Sequence, residues 1–266
     1  MQLQGAGEWG VGIHSIHWQG CYPDAPVLRR AVERLQRPTD AQSSLQAFAV
    51  LLHSGDPVAV GIACDHFQYS AALSRFGGRD VLEHLGAQVL AVARSVLRQA
   101  PTAAGAGPFV GANHASALYA MCNLAEPGDA DLIADVLADA GDVNVRFHGC
   151  AAARRALEDA PEPSPRLIAV LGTLAFDASL DLGERREAVG ALRDVPGEQV
   201  TRLLLRAVES DELMLRVEAA WGLTSANRLP AYRDHVQRLV LTWPVDVGYR
   251  AAEVYEALAS QDDNRQ

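Results

Sequence analysis

An eight-residue helical phrase recurs three times in the last third of the chain, and its spacing constrains the fold more than any other feature. Arg185-Arg186-Glu187-Ala188-Val189-Gly190-Ala191-Leu192 is followed by Arg216-Val217-Glu218-Ala219-Ala220-Trp221-Gly222-Leu223. A looser copy follows in Ala251-Ala252-Glu253-Val254-Tyr255-Glu256-Ala257-Leu258. The glutamate returns after 31 and then 35 residues. A period of that length, filled with helical pattern, signals helix pairs stacked one on the next, because one pair cannot bury its apolar face alone.

The rest of the chain agrees with helices. Hydrophobic residues make up 49% of it but aromatics only 6%, with Ala and Leu abundant. That composition suits helices packed through small side chains and not a β-sandwich. Apolar periodicity and turn signals predict helices beginning at 40 and at Pro57, a longer one over 80–99, and then a succession from 110 to 260. The predicted breaks carry Gly77-Gly78, Glu126-Pro127-Gly128, Gly141-Asp142, Pro161 to Pro165, Pro196-Gly197, Ser210-Asp211 and Pro244. Their shortness makes neighbouring helices antiparallel. Residues 1–25, rich in Gly with two Trp and two His, read as an N-terminal loop or cap. Residues 26–260 read as one helical array with a loop at 100–108, and 261–266 as a polar tail.

The phrase Leu215-Arg216-Val217-Glu218-Ala219-Ala220-Trp221-Gly222-Leu223 resembles the second helix of a HEAT repeat, as does Val145-Arg146. Arg185 to Leu192 matches moderately, and Gly248 to Leu258 and Asp56 to Phe67 weakly. The resemblance spans roughly residues 40–260. It implies an all-α, right-handed superhelix of roughly five to six helix pairs, with the second helices on the concave side. HEAT-like proteins include scaffolds, adaptors and immunity proteins, and also a di-iron hydroxylase, bilin lyases and alkylpurine DNA glycosylases. Fold does not choose among them.

Charge narrows the partner. All 23 basic residues are Arg, and the net charge is −10. With no basic run to neutralise phosphates, the balance speaks against nucleic acid and for a basic protein or peptide. Cys21, Cys64, Cys122 and Cys150 are too dispersed for a zinc ribbon or disulfide framework. No opening leader and no apolar run of membrane-spanning length is evident, which predicts a cytoplasmic protein and no membrane partner. The nucleotide-binding, serine-hydrolase and zinc-protease motifs do not occur, so no catalytic residue and no cofactor is predicted.

Extending the repeat register backwards aligns His114 and His148 with Glu187, Glu218 and Glu253. Trp221 and Glu256 come one turn further on. Each lies at the edge of its helix's apolar stripe. The row reads either as a contact strip for a basic partner, with Trp221 as an aromatic anchor, or as polar flanks facing water. Asp65 and Tyr69, one helical turn apart, extend the strip toward the N-terminus or form a local hydrogen bond. His14 and His17 are a weak metal pair. His114, His148 and Glu187 form a 2-His-1-carboxylate set only in composition, since neighbouring helices stand roughly 10 Å apart. The expected function is a protein-binding module with an acidic groove; the alternative is a HEAT-fold enzyme acting on a small molecule or nucleobase through a His-lined pocket.

Overall fold

The computed structural model describes residues 16–37, 40–72, 78–102, 110–225, 227–244 and 247–260. Gly77, residues 103–108 of the expected loop, the 261–266 tail and His14 lie outside them. Among the described residues there are thirteen α-helices and no β-strand. The chain divides into two compact units, residues 1–125 with 135–155 and residues 126–134 with 156–266. The division passes through the helices Ala130–Ala138 (α6) and Val143–Glu158 (α7).

Among the described residues the first helix of unit 1, which the turn signals do not announce, is Pro26–Gln36 (α1). Pro26 occupies its first turn, where a missing N–H costs nothing. Leu28, Ala31, Val32 and Leu35 are buried at i, i+3, i+4 and i+7. Ala41–Leu52 (α2) starts where the Pro-Thr-Asp signal predicts, the Asp40 carboxylate accepting from the Ser43 N–H at 2.7 Å. Pro57–Ala72 (α3) packs against α2, against Gly78–Leu97 (α4) and against Ala112–Met121 (α5). A helix surrounded this way must be apolar or small on most sides. In α3 the run Ala59 to Asp65 is buried, and in α5 only Tyr119 is not.

The polar side chains inside α5 are matched by partners. Asn113 accepts from the Thr102 N–H at 2.7 Å and donates to the Ala100 carbonyl at 3.0 Å. His114 Nε2 stands 2.9 Å from the Gln99 carbonyl oxygen. These bonds pin the start of the α4–α5 connection to the helix it leads into.

Unit 2 contains Pro165–Phe176 (α8), Leu182–Gly190 (α9), Glu198–Val208 (α10), Leu213–Leu223 (α11), Leu229–Val240 (α12) and Tyr249–Ala259 (α13). α8 pairs with α9 and α10 with α11, while α11 packs against both α9 and α13. The three helices bearing the repeated glutamate are therefore direct neighbours.

The recurrent Arg has a physical explanation. Arg216 Nη1 reaches back six residues to the Ser210 carbonyl at 2.8 Å, and Arg146 Nη1 does the same to the Ala140 carbonyl at 2.8 Å. Each satisfies a carbonyl beyond the C-terminal end of the preceding helix, which the helix itself leaves unpaired. Asp181 and Glu184 close a capping box at the start of α9.

Candidate functional site

Two polar clusters stand out, one in each unit. In unit 2 the core is Glu218, with 5% of its surface exposed. Arg186 Nη2 on α9 donates to its Oε2 at 3.4 Å, and Arg250 Nε on α13 stands 3.7 Å from its Oε1. Burial raises the Glu218 carboxyl above its ordinary value; the Arg250 and Arg186 guanidiniums pull it down without cancelling that shift. Gly190 makes this approach possible: a Cβ there would stand 3.0 Å from Glu218 Oε1. The space beside Gly190 is thus occupied by the protein's own carboxylate.

Trp221 is 4% exposed, one helical turn from Glu218. Arg193 and Arg250 cover its ring, with guanidinium carbons 3.7 and 3.8 Å from the centroid. Arg250 also bonds Glu253 at 3.2 Å. Glu187 and Glu253 are half-buried and Glu256 is exposed. The structure brings Glu218, Trp221 and Glu253 into one network. Arg186, Arg193 and Arg250, which the register does not single out, hold it together.

In unit 1 the cluster forms around the segment preceding α1. His17 donates its backbone N–H to Asp65 Oδ2 at 3.2 Å, and its Nδ1 lies 2.7 Å from Asp65 Oδ1. Trp18 Nε1 donates to Ser116 Oγ at 2.9 Å. That hydroxyl stands 3.3 Å from His17 Nδ1. The indole rests directly on Gly61 of α3, where any Cβ would meet its Nε1 and Cε2. A helix-interior Gly is ordinarily unfavourable by about 1 kcal/mol relative to Ala; here it supplies the seat for Trp18.

The His17 ring makes an edge contact with His148 of α7, centroids 4.9 Å apart, and His148 tilts over Tyr119 at 4.7 Å. Burial, then the neighbouring His17, lowers His148 to about 4, although Asp65 acts the other way. Burial and the Asp65 charge push Cys64 up to about 12, so it is no nucleophile. Tyr119 is raised by burial and by Asp65. Tyr69 is partly exposed, while Asp65 is buried against His17. His114 and His148 share a register but not a site, because His114 faces the Gln99 carbonyl.

Ser116, His17 and Asp65 are the residue types of a hydrolytic triad in a different arrangement. A triad needs the hydroxyl and the carboxylate on opposite ring nitrogens, so that the base can take the hydroxyl proton. Here both address Nδ1. Among the described residues, no three His, Cys, Asp or Glu side chains gather as a metal-binding group, and no helix is long and apolar enough to cross a membrane.

The depressed His148 has a measurable consequence. The unfolded chain takes up this proton from about pH 6.5 downward, the folded chain only near 4. The stability that neutral His148 contributes is present above pH 6.5 and lost as pH falls toward 4, by about 3 kcal/mol. Urea denaturation at pH 7, 5.5 and 4.5 should show this acid limb; His148→Gln should make it shallower, the remainder belonging to His66, which burial also lowers to about 4, and to His114, which burial lowers as well.

Sequence comparison with known protein families and with curated proteins finds no match to either.

Proposed function

We propose that this chain is a protein-binding module of HEAT-like construction, whose second helices α9, α11 and α13 present a surface to a basic partner. The observation that carries this reading is where the charge lies. Counted over the sequence, unit 1 has 11 acidic and 11 Arg side chains, whereas unit 2 has 22 and 12; all of the net −10 belongs to unit 2. A field of one sign steers oppositely charged partners and raises their association rate. The lateral packing of α9, α11 and α13 supports the superhelical stacking that the period implies. The competing reading, a small-molecule or nucleobase enzyme, draws on the contact of His17 with His148. The Ser116–His17–Asp65 group does not supply it with a nucleophile paired to a base, since Ser116 and Asp65 address the same ring nitrogen.

The test avoids Glu218, because reversing a carboxylate buried between two guanidiniums would disturb the fold. The pair Glu187→Arg/Glu256→Arg lies on the same layer with more solvent access. Affinity capture with the full chain, followed by mass spectrometry, is expected to retain proteins with basic segments and to release them by about 0.5 M salt. The double variant should lose those proteins at least tenfold. Retention of the same partners by wild type and variant, at any salt, would count against the reading.

A further inference from the structure

We propose that residues 16–22 form an acid-released clasp: His17 and Trp18 hold the segment on α3 and α5 at neutral pH, and proton uptake at the His17–His148 contact lets it leave while the helices beneath remain folded.

The geometry makes the segment separable. Among the described residues of the segment, the buried side chains are two adjacent ones, His17 and Trp18. Their partners Asp65 and Ser116 are 48 and 98 residues away. On either side the chain faces solvent, with Ile16 51% and Tyr22 48% exposed. Gly20, with φ of +73°, turns the backbone between them, and its α-carbon faces open space. No helix must unwind for these contacts to part. By contrast, α3 and α5 pack against each other and both pack against α4.

The titratable groups come from every element packed there. α3 contributes Cys64, Asp65, His66 and Tyr69, α5 contributes Tyr119 and Cys122, α7 contributes His148, and the segment contributes His17. Cys64 and Tyr119 are pushed upward, out of the acid range. Two groups are displaced into it: His66 of α3, lowered to about 4 by burial alone, and His148, lowered to about 4 by burial and then by His17 of the covering segment. A proton on His148 places a charge 4.9 Å from the His17 centroid in a desolvated site. Detaching the segment removes His17 and admits water to His148 and to Asp65 together, at the cost of the His17–Asp65 and Trp18–Ser116 bonds. By linkage, a His148 that returns toward its ordinary value on release favours the open form by about ten- to thirtyfold at pH 5 relative to pH 7.5.

Hydrogen exchange of the full chain, read by mass spectrometry and corrected for the intrinsic pH dependence of exchange, tests this. Between pH 7.5 and 5.0, protection over residues 16–22 should fall by about ten- to thirtyfold. Protection of α3 over residues 57–69 and of α5 should stay well above that of 16–22 at both pH values and fall no further than the global stability read by urea falls. The differential should vanish in His148→Gln and in His148→Phe, the second keeping a ring against Tyr119 if the first is poorly folded. The proposal is overturned if protection of 16–22 is indifferent to pH, if 16–22 exchanges at the same rate as α3 and α5, or if either folded His148 variant keeps the pH step.

Discussion

Gly61→Ala is expected to destabilise unit 1 by about 2–4 kcal/mol, although the same change in an exposed helix interior would stabilise it by about 1. The new methyl falls on the Trp18 indole, which lies against the α3 backbone at this point. Neither side can yield cheaply. The indole is tied by its N–H to Ser116 and is 2% exposed, and Gly61 is held within a helix packed on several sides. The expected result is ejection of Trp18, with loss of its burial and of the Ser116 bond. Urea denaturation of Gly61→Ala, Trp18→Ala and the double variant checks this as a cycle. Once Trp18 is gone the Ala should no longer harm, so the double variant should match Trp18→Ala or exceed it slightly in stability. Additive losses would mean that Gly61 serves something other than the indole.

Arg228→Ala is expected to cost about 3–5 kcal/mol, the largest effect of any single side chain in unit 2. Arg228 is buried, and its guanidinium is a hub for chain ends. It donates to the carbonyls of Arg193, Val195 and Gly222 and to the hydroxyls of Ser225 and Thr201. Those carbonyls lie at and beyond the C-terminal ends of α9 and α11, where helices leave acceptors unpaired. Burial lowers its basicity, while Asp194 opposes that shift. Truncation strands several buried acceptors at once, each a penalty of about 1–3 kcal/mol before relaxation. Arg228→Lys should recover only part of the loss, because one ammonium cannot serve acceptors spread across a planar fork. Thermal or urea unfolding of both variants is the measurement, and equal stability of Arg228→Lys and wild type would argue against the hub.

The features legible in the sequence are those set by local pattern. Apolar spacing and turn residues place most of the helices, and the Asp40 cap appears where its signal stands. The adjacency of Glu187, Glu218 and Glu253 helices also follows from a register that repeats. What escaped depends on partners distant in sequence. Nothing near Glu218 announces that Arg186 and Arg250, 32 residues before and after it, will neutralise it. Gly190 and Gly61 look like ordinary small residues until the groups that approach them are known. His114 and His148 occupy equivalent positions, yet one meets a carbonyl and the other an imidazole. The pairing of His17 with Asp65 crosses 48 residues and carries no motif. α1 was hidden because it opens on Ala25 and Pro26 without a side-chain cap.

The Arg146 and Arg216 bonds differ from those of Arg228 in reach. The first two close within six residues, inside a single turn and the helix it introduces. Arg228 instead spans 33 and 35 residues to grip carbonyls that follow α9. A gene segment encoding one such turn and helix therefore brings its own fastening, and duplicating or deleting it leaves the remaining turns intact. The stretch from Arg193 to Arg228 has no such licence: a recombination breakpoint inside it parts a side chain from its acceptors. Length variation among descendants of this chain should accordingly avoid breakpoints that part Arg228 from Arg193 and Val195, even though the Ser210–Arg216 turn between them is self-contained.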